Sequence, residues 1–386
     1  MNSFNLIEQY CLRDDLSTYD PYDIWKTDIG IKVKQLYYKN KYLGLLPAGV
    51  LTIYDLYINN SLRIGYKKQE YPIVRAQSAL ALLNLYKKES KDIYLEYAKK
   101  HIDWLLENSS KGYSGYCWGL DFDWVYSATD TYDKNTPFST HTPYPLEAMV
   151  QYYNIAKDNS LLEPIKSLFA FLEQDIKIMQ EDDKRLIVSY GVEKDRIVTN
   201  ANSYVMYMYA LLLDFYPEKR EYIENKIRKL YHFLVSVQLG DGSWIYSPFD
   251  ANSFIDCFHS AFVLKNIIKT SRIFPLENSE EIVSKGYRYV LENFLDQEKM
   301  LFRRFSQSNK ISLVKFDLYD NAEMLNLVFL LNDNMMIEKL SRSIQNNFVE
   351  NGKIGSTIEI FGSLKNMDHL RWAVVPYHYA LSNLEG

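Results

Sequence analysis

The sequence is poor in cysteine and has no long apolar run. It contains only three cysteines, Cys11, Cys117 and Cys257, and an odd number of widely spaced thiols does not predict a disulfide framework. No stretch approaches the ~18 consecutive apolar residues of a membrane-spanning helix, and residues 1–15 lack the basic region and apolar run of a secretory signal. We therefore expect a cytoplasmic protein with reduced thiols and no membrane insertion.

An excess of positive charge is also missing. The chain has 44 Lys and Arg against 49 Asp and Glu, for a formal net charge of -5, and the two signs are mixed along it. Nucleic-acid binding depends on concentrated positive charge that displaces counterions from phosphates, so we expect no nucleic-acid partner. The hydrophobic share of 47% and the charged share of 24% are those of an ordinary globular protein with a substantial core.

Aromatic residues are abundant instead. The 386 residues include 33 Tyr, 19 Phe and 6 Trp. Aromatic rings stack on the faces of sugar rings, but they also fill protein cores. The composition therefore favours a carbohydrate ligand only modestly.

Helical periodicity recurs in pairs of segments along the chain. The predicted pairs are 71–86 with 93–106, 143–155 with 161–178, 200–215 with 222–237, 257–268 with 280–294, and 320–331 with 335–348, followed by a last helix at 371–384. The first members begin roughly every 50 to 70 residues, a longer period than those of common solenoid repeats. Links within a pair are short and loops between pairs are long, so the two kinds of connection must lie at opposite ends.

Six such first helices suit a closed ring. We predict an all-α protein in which residues 1–386 form one (α/α)6 toroid of six helical hairpins, with the first helices inside, the second ones outside, and the segment around 31–57 completing the outer layer. An open superhelix of stacked pairs is the alternative. In a closed ring the N-termini of all inner helices meet at one end of a central cavity, where their unpaired N–H groups suit anionic or hydroxyl-rich ligands.

The predicted inner-helix starts are polar. Ser, Thr, Asn and Asp at these positions are ordinary helix caps, but capping does not explain His141, His259, Arg371 and Trp372 in separate hairpins. We expect these four residues at the cavity mouth, together with Tyr190 and Asn200 near the third inner helix. In this hypothesis Arg371 holds a uronate or a phosphate.

The loop 115–124, GYCWGLDFDW, lies in the longest connection between hairpins. Hydrolysis of sugars needs two carboxyl groups on opposite sides of the bond, and here Asp123 is the best candidate for a general acid or base. Asp256 is expected either to orient His259 or to supply the second carboxylate, with His259 and His141 assisting proton transfer. A solvated turn is the alternative interpretation of the acidic pair Asp121 and Asp123.

Four tryptophans are candidate platforms for sugar rings: Trp118, Trp124, Trp244 and Trp372. Trp244 ends the element GDGSW, which in other helical toroids ties a helix end to the next turn. A structural role for Trp244 and Asp241 is therefore the competing interpretation.

Five segments carry a family resemblance: YDPYD at 19–23, GYCWGLDFDW, GDGSW, FIDCFHSAFVL and RWAVVPYHYALS. On these segments, which extend over nearly the whole chain, the sequence resembles a family of bacterial exopolysaccharide and capsule biosynthesis proteins with a six-hairpin glycosidase-like fold. The resemblance implies a role with surface glycans and association with polysaccharide-assembly enzymes. It leaves the reaction open.

Two other toroid families offer chemical comparisons. Sugar 2-epimerases use paired histidines from different inner helices as acid and base, parts that His141, His259 and His378 could take. Lanthionine synthetases hold zinc through cysteines and a histidine, a set similar to Cys117, Cys257 and His259, although Phe258 separates the last two here. Zinc with two thiolates and one imidazole would be chemically sensible.

The sequence therefore predicts glycosidase-like or epimerase-like action on a cell-surface polysaccharide, without cofactor or metal. Two alternatives are a non-catalytic glycan-binding or scaffold protein and a zinc-dependent enzyme of the lanthionine-synthetase type.

Overall fold

The computed structural model describes residues 3–192, 194–308 and 312–384. The α-helices of these residues are α1 Ser3–Cys11, α2 Asp28–Lys39, α3 Lys41–Ile53, α4 Pro72–Glu89, α5 Asp92–Glu107, α6 Pro143–Ala156, α7 Leu162–Ala170, α8 Thr199–Leu212, α9 Arg220–Ser236, α10 Cys257–Ile273, α11 Ser279–Asn293, α12 Leu318–Leu330, α13 Asn334–Phe348 and α14 Val375–Leu384. Single π-helical turns continue α3 at Tyr54–Ile58 and α7 at Phe171–Asp175, and one precedes α14 at Leu370–Val374.

Six helices form a closed inner ring. Helices α4, α6, α8, α10, α12 and α14 each contact the next, and α14 returns to contact α4. Helices α5, α7, α9, α11 and α13 each pack outside the inner helix that precedes them. The predicted (α/α)6 toroid is confirmed, and the alternative of an open superhelix is excluded.

The predicted role of the segment 31–57 was wrong. These residues form the hairpin α2–α3, whose helices pack on each other and leave large apolar side chains such as Leu43 and Leu46 exposed. The outer ring is completed instead by α1, which packs against α4 and α14 and buries Ile7 and Tyr10. Apolar content suggested an outer-ring helix, but it does not indicate which partner a segment packs against.

Burial separates the two layers. In α8 almost every residue is buried, because this inner helix has the cavity and barrel interior on one side and the outer helices on the other. The outer helix α13 is amphipathic and buries Met336, Leu340 and Ile344 on one stripe, as expected for a helix with one solvated face.

Short strands occupy the loops that lead into the inner helices. They are β1 Trp124–Val125, β2 Thr131–Tyr132, β3 Ile178–Glu181, β4 Leu186–Val188, β5 Ile255–Asp256, β6 Leu295–Asp296, β7 Leu301–Phe302, β8 Phe305–Gln307, β9 Val314–Asp317, β10 Val349–Glu350, β11 Lys353–Glu359 and β12 Leu364–Met367. The longest, β11, pairs antiparallel with β9, β10 and β12. Strands β5 and β9 lead directly into α10 and α12 and so fix where those helices begin.

Buried ion pairs fill the barrel interior. Lys265 of α10 bonds to Glu323 of α12, and Lys269 of α10 lies 2.8 Å from a carboxylate oxygen of Glu147 on α6. Because α8 separates α6 from α10 in the ring, the Lys269–Glu147 pair crosses the interior of the barrel. The interior is therefore packed with paired charges and is not an open channel.

Within the three described ranges, no helix combines the length and the apolar character needed to cross a bilayer.

Candidate functional site

A cavity of about 380 Å³ opens where the inner helices begin, within the size range of small-ligand sites. Its wall is predominantly aromatic, with lining rings from Tyr22, Trp25, Tyr38, Phe122, Trp124, Tyr126, Tyr144, Tyr190, Tyr204, Tyr246, Phe254, Phe258, Phe262, Tyr319 and Trp372. The hydroxyl oxygens of Tyr144 and Tyr204 are 2.6 Å apart. Such a wall offers flat apolar faces edged with hydroxyl groups, the surface that sugar rings bind.

Most of the residues singled out from the sequence meet at this cavity. Its lining includes Asp123, Trp124, His141, Tyr190, Asn200, His259, Arg371 and Trp372. They come from the loop before α6 and from the starts of α6, α8, α10 and the segment before α14, which the closed ring brings to one end of the barrel. Convergence of the inner-helix starts was the basis on which these residues were chosen.

Trp118 and Trp244 require a correction, because neither lines the cavity. Trp118 is fully buried, and its Nε1 donates to the carbonyl of Leu105 at 2.8 Å. Trp244 is 4% exposed, and its Nε1 donates to the carbonyl of Leu234 at 2.9 Å. Each indole satisfies a carbonyl near the end of an outer helix, where backbone acceptors lack helical partners. These two side chains hold loops in place and are not accessible to a sugar ring.

Asp256 and His259 form a pair at the start of α10. Asp256 caps the helix by accepting from the backbone N–H of His259, and its two carboxylate oxygens each lie 2.8 Å from Nδ1 of the same residue. The Asp256 side chain is 2% exposed and that of His259 is 19% exposed. Because Asp256 holds Nδ1, Nε2 is the nitrogen left to meet a ligand in the cavity. Of the two predicted roles for Asp256, the geometry matches orientation of His259, and Asp256 does not line the cavity.

Besides Nη1 of Arg196, two polar atoms of the cavity wall make no hydrogen bond to any described residue. Nδ1 of His141 and Oδ1 of Asn200 are buried and make no hydrogen bond within the described residues. Burial, and to a lesser degree the positive charge of Arg371, lower the pKa of His141 to about 3, so its imidazole is neutral at neutral pH. Buried polar atoms are nearly always satisfied in proteins, and a polar ligand would satisfy these two.

Asp123 lies at the exposed rim of the cavity. Its Oδ1 accepts from the backbone N–H of Lys134 at 2.9 Å, while the neighbouring Asp121 pairs with the Lys134 ammonium at 2.5 Å. Among the described residues that line the cavity, Asp123 is the sole carboxylate. The described lining therefore does not provide the two facing carboxyl groups on which most glycoside hydrolases depend.

Four cationic side chains of the described residues line the cavity, and the buried carboxylate of Asp20 contacts two of them. Asp20 lies 2.7 Å from Nη1 of Arg371 and 3.2 Å from Nζ of Lys26. Burial alone would raise the pKa of Asp20, but Lys26 and Arg371 bring it down to about 2. Trp372 also donates its Nε1 to Asp20 at 3.1 Å. Arg371, predicted to hold an anionic group, is therefore already paired with a carboxylate.

Arg196 is a cavity cation that forms no ion pair with a described carboxylate. Its guanidinium carbon lies 5.1–5.6 Å from four aromatic ring centroids, those of Trp124, Tyr126, Tyr190 and Tyr246. Its Nη1 is buried and makes no hydrogen bond to a described residue. A guanidinium presented in this way binds carboxylate or phosphate through paired N–H groups.

Sequence reasoning missed Arg196, Asp20 and Lys26. Arg196 lies three residues before α8 in DRIVTN, and its proximity to a predicted inner-helix start was a signal that could have found it. Asp20 belongs to YDPYD, which entered only as part of a family resemblance. Its contact with Arg371 depends on closure of the ring and cannot be derived from spacing along the chain.

Cys117, Cys257 and His259, the candidate zinc ligands, do not form a metal site in the described structure. Cys117 and Cys257 are fully buried, burial raises the pKa of both thiols, and neither lines the cavity. In the described residues no group of three or more His, Cys, Asp and Glu side chains is placed to hold a metal ion. The alternative of a zinc enzyme of the lanthionine-synthetase type therefore loses its structural basis.

Known proteins resemble this chain in structure. No protein-family model matches it, and no curated protein is significantly similar in sequence, so the resemblance to the capsule and exopolysaccharide family is not confirmed. The cellobiose 2-epimerase from Bacillus thermoamylovorans superposes with a TM-score of 0.65 and 14% identity, covering 82% of this chain and 87% of the epimerase. A GH76 α-mannanase from Bacteroides thetaiotaomicron gives 0.61 and 13%, covering 95% and 99%. A D-mannose isomerase gives 0.59 and 12%, covering 82% and 86%. At these identities the likeness establishes that the chain has the (α/α)6 toroid fold of these carbohydrate enzymes.

Proposed function

We propose that this protein is an enzyme that moves a proton on a sugar, in the manner of an epimerase or isomerase. The observation that carries the proposal is the Asp256–His259 pair, which holds Nδ1 of a cavity histidine at 2.8 Å from a buried carboxylate. A carboxylate in this position fixes the tautomer of the imidazole and stabilises the imidazolium that forms when Nε2 takes a proton. His259 is thus arranged as a base.

His141 supplies the second group that such a reaction needs. Epimerisation next to a carbonyl removes a proton and returns one, and a general acid or base must lie within hydrogen-bond reach of each transfer. His141 lines the same cavity from the start of a different inner helix and is neutral at neutral pH because burial lowers its pKa. A neutral imidazole can donate its N–H as a hydrogen bond to the sugar carbonyl while the enediolate forms, and the proton that Nε2 of His259 has taken is returned to the sugar from the same nitrogen.

The proposed substrate is a sugar that carries a carboxylate or phosphate. Four cations and one carboxylate line the cavity within the described residues, and Arg196 has no described acidic partner to balance it. Stacking on Trp124, Trp372 and Tyr190 would hold the sugar ring, and Asn200 would bind a hydroxyl group. Arg196 takes the anion-binding role that the sequence suggested for Arg371.

Two of the structural neighbours support this chemistry, whereas the GH76 α-mannanase of the same fold supports hydrolysis. A cellobiose 2-epimerase and a D-mannose isomerase are among the solved structures that share the fold. The biological setting we propose is biosynthesis or modification of a cell-surface polysaccharide in the cytoplasm, alongside polysaccharide-assembly enzymes. The motif resemblance is the support for that setting.

Exchange of hydrogen for deuterium tests the reaction. The protein is incubated in D2O with a panel of reducing sugars, uronates and sugar phosphates, and deuterium at the carbon next to the carbonyl is followed by NMR and mass spectrometry. We expect incorporation with at least one anionic sugar, and its loss in His259→Gln. Release of new reducing ends without exchange would contradict proton transfer on a free sugar.

Hydrolysis is the second candidate, favoured by the position of Asp123 at the cavity rim. It predicts new reducing ends from oligosaccharides and loss of this activity in Asp123→Asn. A non-catalytic glycan-binding protein, the remaining alternative, predicts saturable binding with neither exchange nor cleavage. The same panel of sugars distinguishes all three functions.

A further inference from the structure

The exposed apolar side chains of the protein are concentrated in one segment. Of the 22 large hydrophobic side chains that are exposed among the described residues, 13 lie between positions 29 and 64. These positions comprise α2 after its first residue, α3 and the turns that follow α3. A globular protein normally scatters such side chains singly, and a contiguous group marks an interaction surface.

Helix α3 carries the centre of this surface. Tyr42, Leu46, Val50 and Ile53 follow helical spacing, so they share one face of α3. Their side chains are 91%, 76%, 57% and 52% exposed. We call these four residues, with the neighbouring Leu43, the docking face.

The helix pair that carries the docking face is tightly joined. A Cβ built on Gly44 of α3 would lie 2.2 Å from Cα of Tyr37 on α2, so the two backbones touch at this point and only glycine fits there. The far end of α3 is also fixed, because the hydroxyl of Tyr57 donates to Glu359 at 2.7 Å. The turn beyond Glu359 exposes Phe361 by 80% beside the same end of the helix.

The charge of the hairpin indicates what kind of partner binds the docking face. Residues 29–68 contain seven basic residues and one acidic residue, a formal charge of +6, whereas the whole chain carries -5. The acidic residue, Asp55, is buried and accepts from Tyr66. The exposed charges of residues 29–68 are therefore all positive, and they come from Lys32, Lys39, Lys41, Lys67 and Lys68. The exposed acid of the hairpin, Asp28, lies just before them at the start of α2.

We propose that the α2–α3 hairpin binds the surface of an anionic lipid bilayer and lies in the plane of the headgroups. An apolar helix face bordered by lysines enters the boundary between headgroups and acyl chains, while the lysines contact acidic lipids. The 13 residues of α3 are too few to span a bilayer. A second copy of the chain would bring two surfaces of the same charge together, which opposes self-association.

The location of the hairpin connects this surface to the cavity. Lys34 and Tyr38 of α2 line the cavity, while the docking face lies on α3. A bilayer bound to α3 would therefore be next to the cavity mouth. Binding of the hairpin to a bilayer does not depend on which reaction the cavity performs.

Vesicle flotation of the full chain tests the proposal. The probes are vesicles of phosphatidylcholine alone and of phosphatidylcholine mixed with phosphatidylglycerol, each at low and high salt. We expect binding to the mixed vesicles that weakens with salt, and a loss of roughly 10-fold or more in the double variant Leu43→Ser/Leu46→Ser, since each buried methylene contributes to insertion. Lys39→Glu/Lys41→Glu should weaken binding similarly.

Control variants come from α13, outside the α2–α3 hairpin. Met335→Ser and Lys339→Glu change an exposed apolar and an exposed basic residue of α13 and should leave binding unchanged. Circular dichroism establishes that all variants are folded. Absence of binding to mixed vesicles would overturn the proposal, as would equal binding to neutral vesicles. Light scattering tests the alternative that a second copy of the chain binds the docking face. A dimer that dissociates in Leu46→Ser would support that alternative and overturn binding to lipid.

Discussion

The carboxylate of Asp20 contacts Arg371 at 2.7 Å across 351 residues of sequence. This ion pair joins the segment after the first helix to the segment before the last one, at the point where the ring closes. The same carboxylate accepts from Trp372 and pairs with Lys26. One buried acid therefore holds three side chains of the cavity wall in place.

Asp20→Asn should destabilise the protein strongly. The substitution keeps the size of the side chain but leaves Arg371 without its carboxylate partner and Lys26 with Asp23 alone. Breaking a buried ion pair typically costs about 3–5 kcal/mol. Urea unfolding followed by tryptophan fluorescence measures the loss. A matched exposed pair offers the control, because Glu338→Gln removes the partner of Arg342 on the surface and should change stability by less than about 1 kcal/mol. Equal effects of the two substitutions would show that Asp20 has no special structural role.

Asp256→Asn should impair the orientation of the His259 imidazole without unfolding the protein. Asparagine caps a helix as well as aspartate does, so α10 is retained, but the amide cannot stabilise a charged His259. We expect turnover to fall by roughly 100-fold or more with little change in the KM of the substrate that the exchange screen identifies. An equal fall in Asp256→Asn and His259→Gln would show that they act as one unit, and full activity of Asp256→Asn would contradict the proposed role.

Arg196→Gln should weaken binding of anionic sugars selectively. A hydrogen bond to a charged group contributes about 1.5–3 kcal/mol, so the Kd for a uronate or sugar phosphate should rise roughly 10-fold or more. Titration calorimetry with the neutral parent sugar provides the comparison and should show little change. Arg185→Gln, which removes a surface arginine paired with Asp182, is the matched control. Equal weakening of charged and neutral ligands would indicate a packing role for Arg196.

The buried histidines should destabilise the protein as the pH falls below about 6.5, in opposition to buried carboxyl groups such as that of Asp320, whose pKa burial raises to about 7. Burial lowers the pKa of four histidines, to about 4 for His101 and about 3 for His141, His369 and His378. Unfolding returns each pKa to about 6.5, so between these values the unfolded chain binds more protons than the folded one. Each histidine then lowers the free energy of unfolding by about 1.4 kcal/mol per pH unit.

Urea titrations measure this dependence. They are carried out at several pH values from about 4 to about 7, which covers most of the interval between the folded and unfolded pKa values. His378→Leu is the informative variant, because both ring nitrogens of His378 are buried without a partner among the described residues. It should flatten the pH dependence by about one proton. An unchanged slope would mean that His378 is not neutral in the folded state.

The three thiols should react only after unfolding. Cys11, Cys117 and Cys257 are fully buried, and burial raises the pKa of all three, so neither access nor thiolate is available. Titration with a chromogenic disulfide should show negligible reaction of the native protein and three thiols in denaturant. Rapid reaction of one thiol in the native protein would reveal a local opening.

The inner helices were predictable because their signals are local. The segment 257–268 was expected as an inner helix, and α10 occupies Cys257–Ile273. The outer segment 161–178 was less accurate, because α7 ends at Ala170, a π-helical turn follows, and β3 begins at Ile178. The spacing of apolar residues does not reveal the extra residue of a π-helical turn, and it does not reveal that a short segment pairs as a strand.

The cavity was predictable where residues lie at helix starts and unpredictable where they reach it by tertiary contact. His141, His259 and Arg371 were placed correctly at the cavity by convergence of the inner helices. Trp118 and Trp244 were not, because one buried hydrogen bond turns each indole into the core. A tryptophan in a loop has the same sequence appearance in both situations.

The ion pairs inside the barrel close the central cavity at its inner end, so that the cavity opens at one end of the ring only among the described residues. Tyr144 and Tyr204 line the cavity. Further along the barrel, the interior is occupied by the ion pairs Lys265–Glu323 and Lys269–Glu147 of α10, α12 and α6. A polymer therefore has no exit through the barrel and cannot be threaded. A long glycan would have to present one of its ends, and product would leave by the opening through which substrate came.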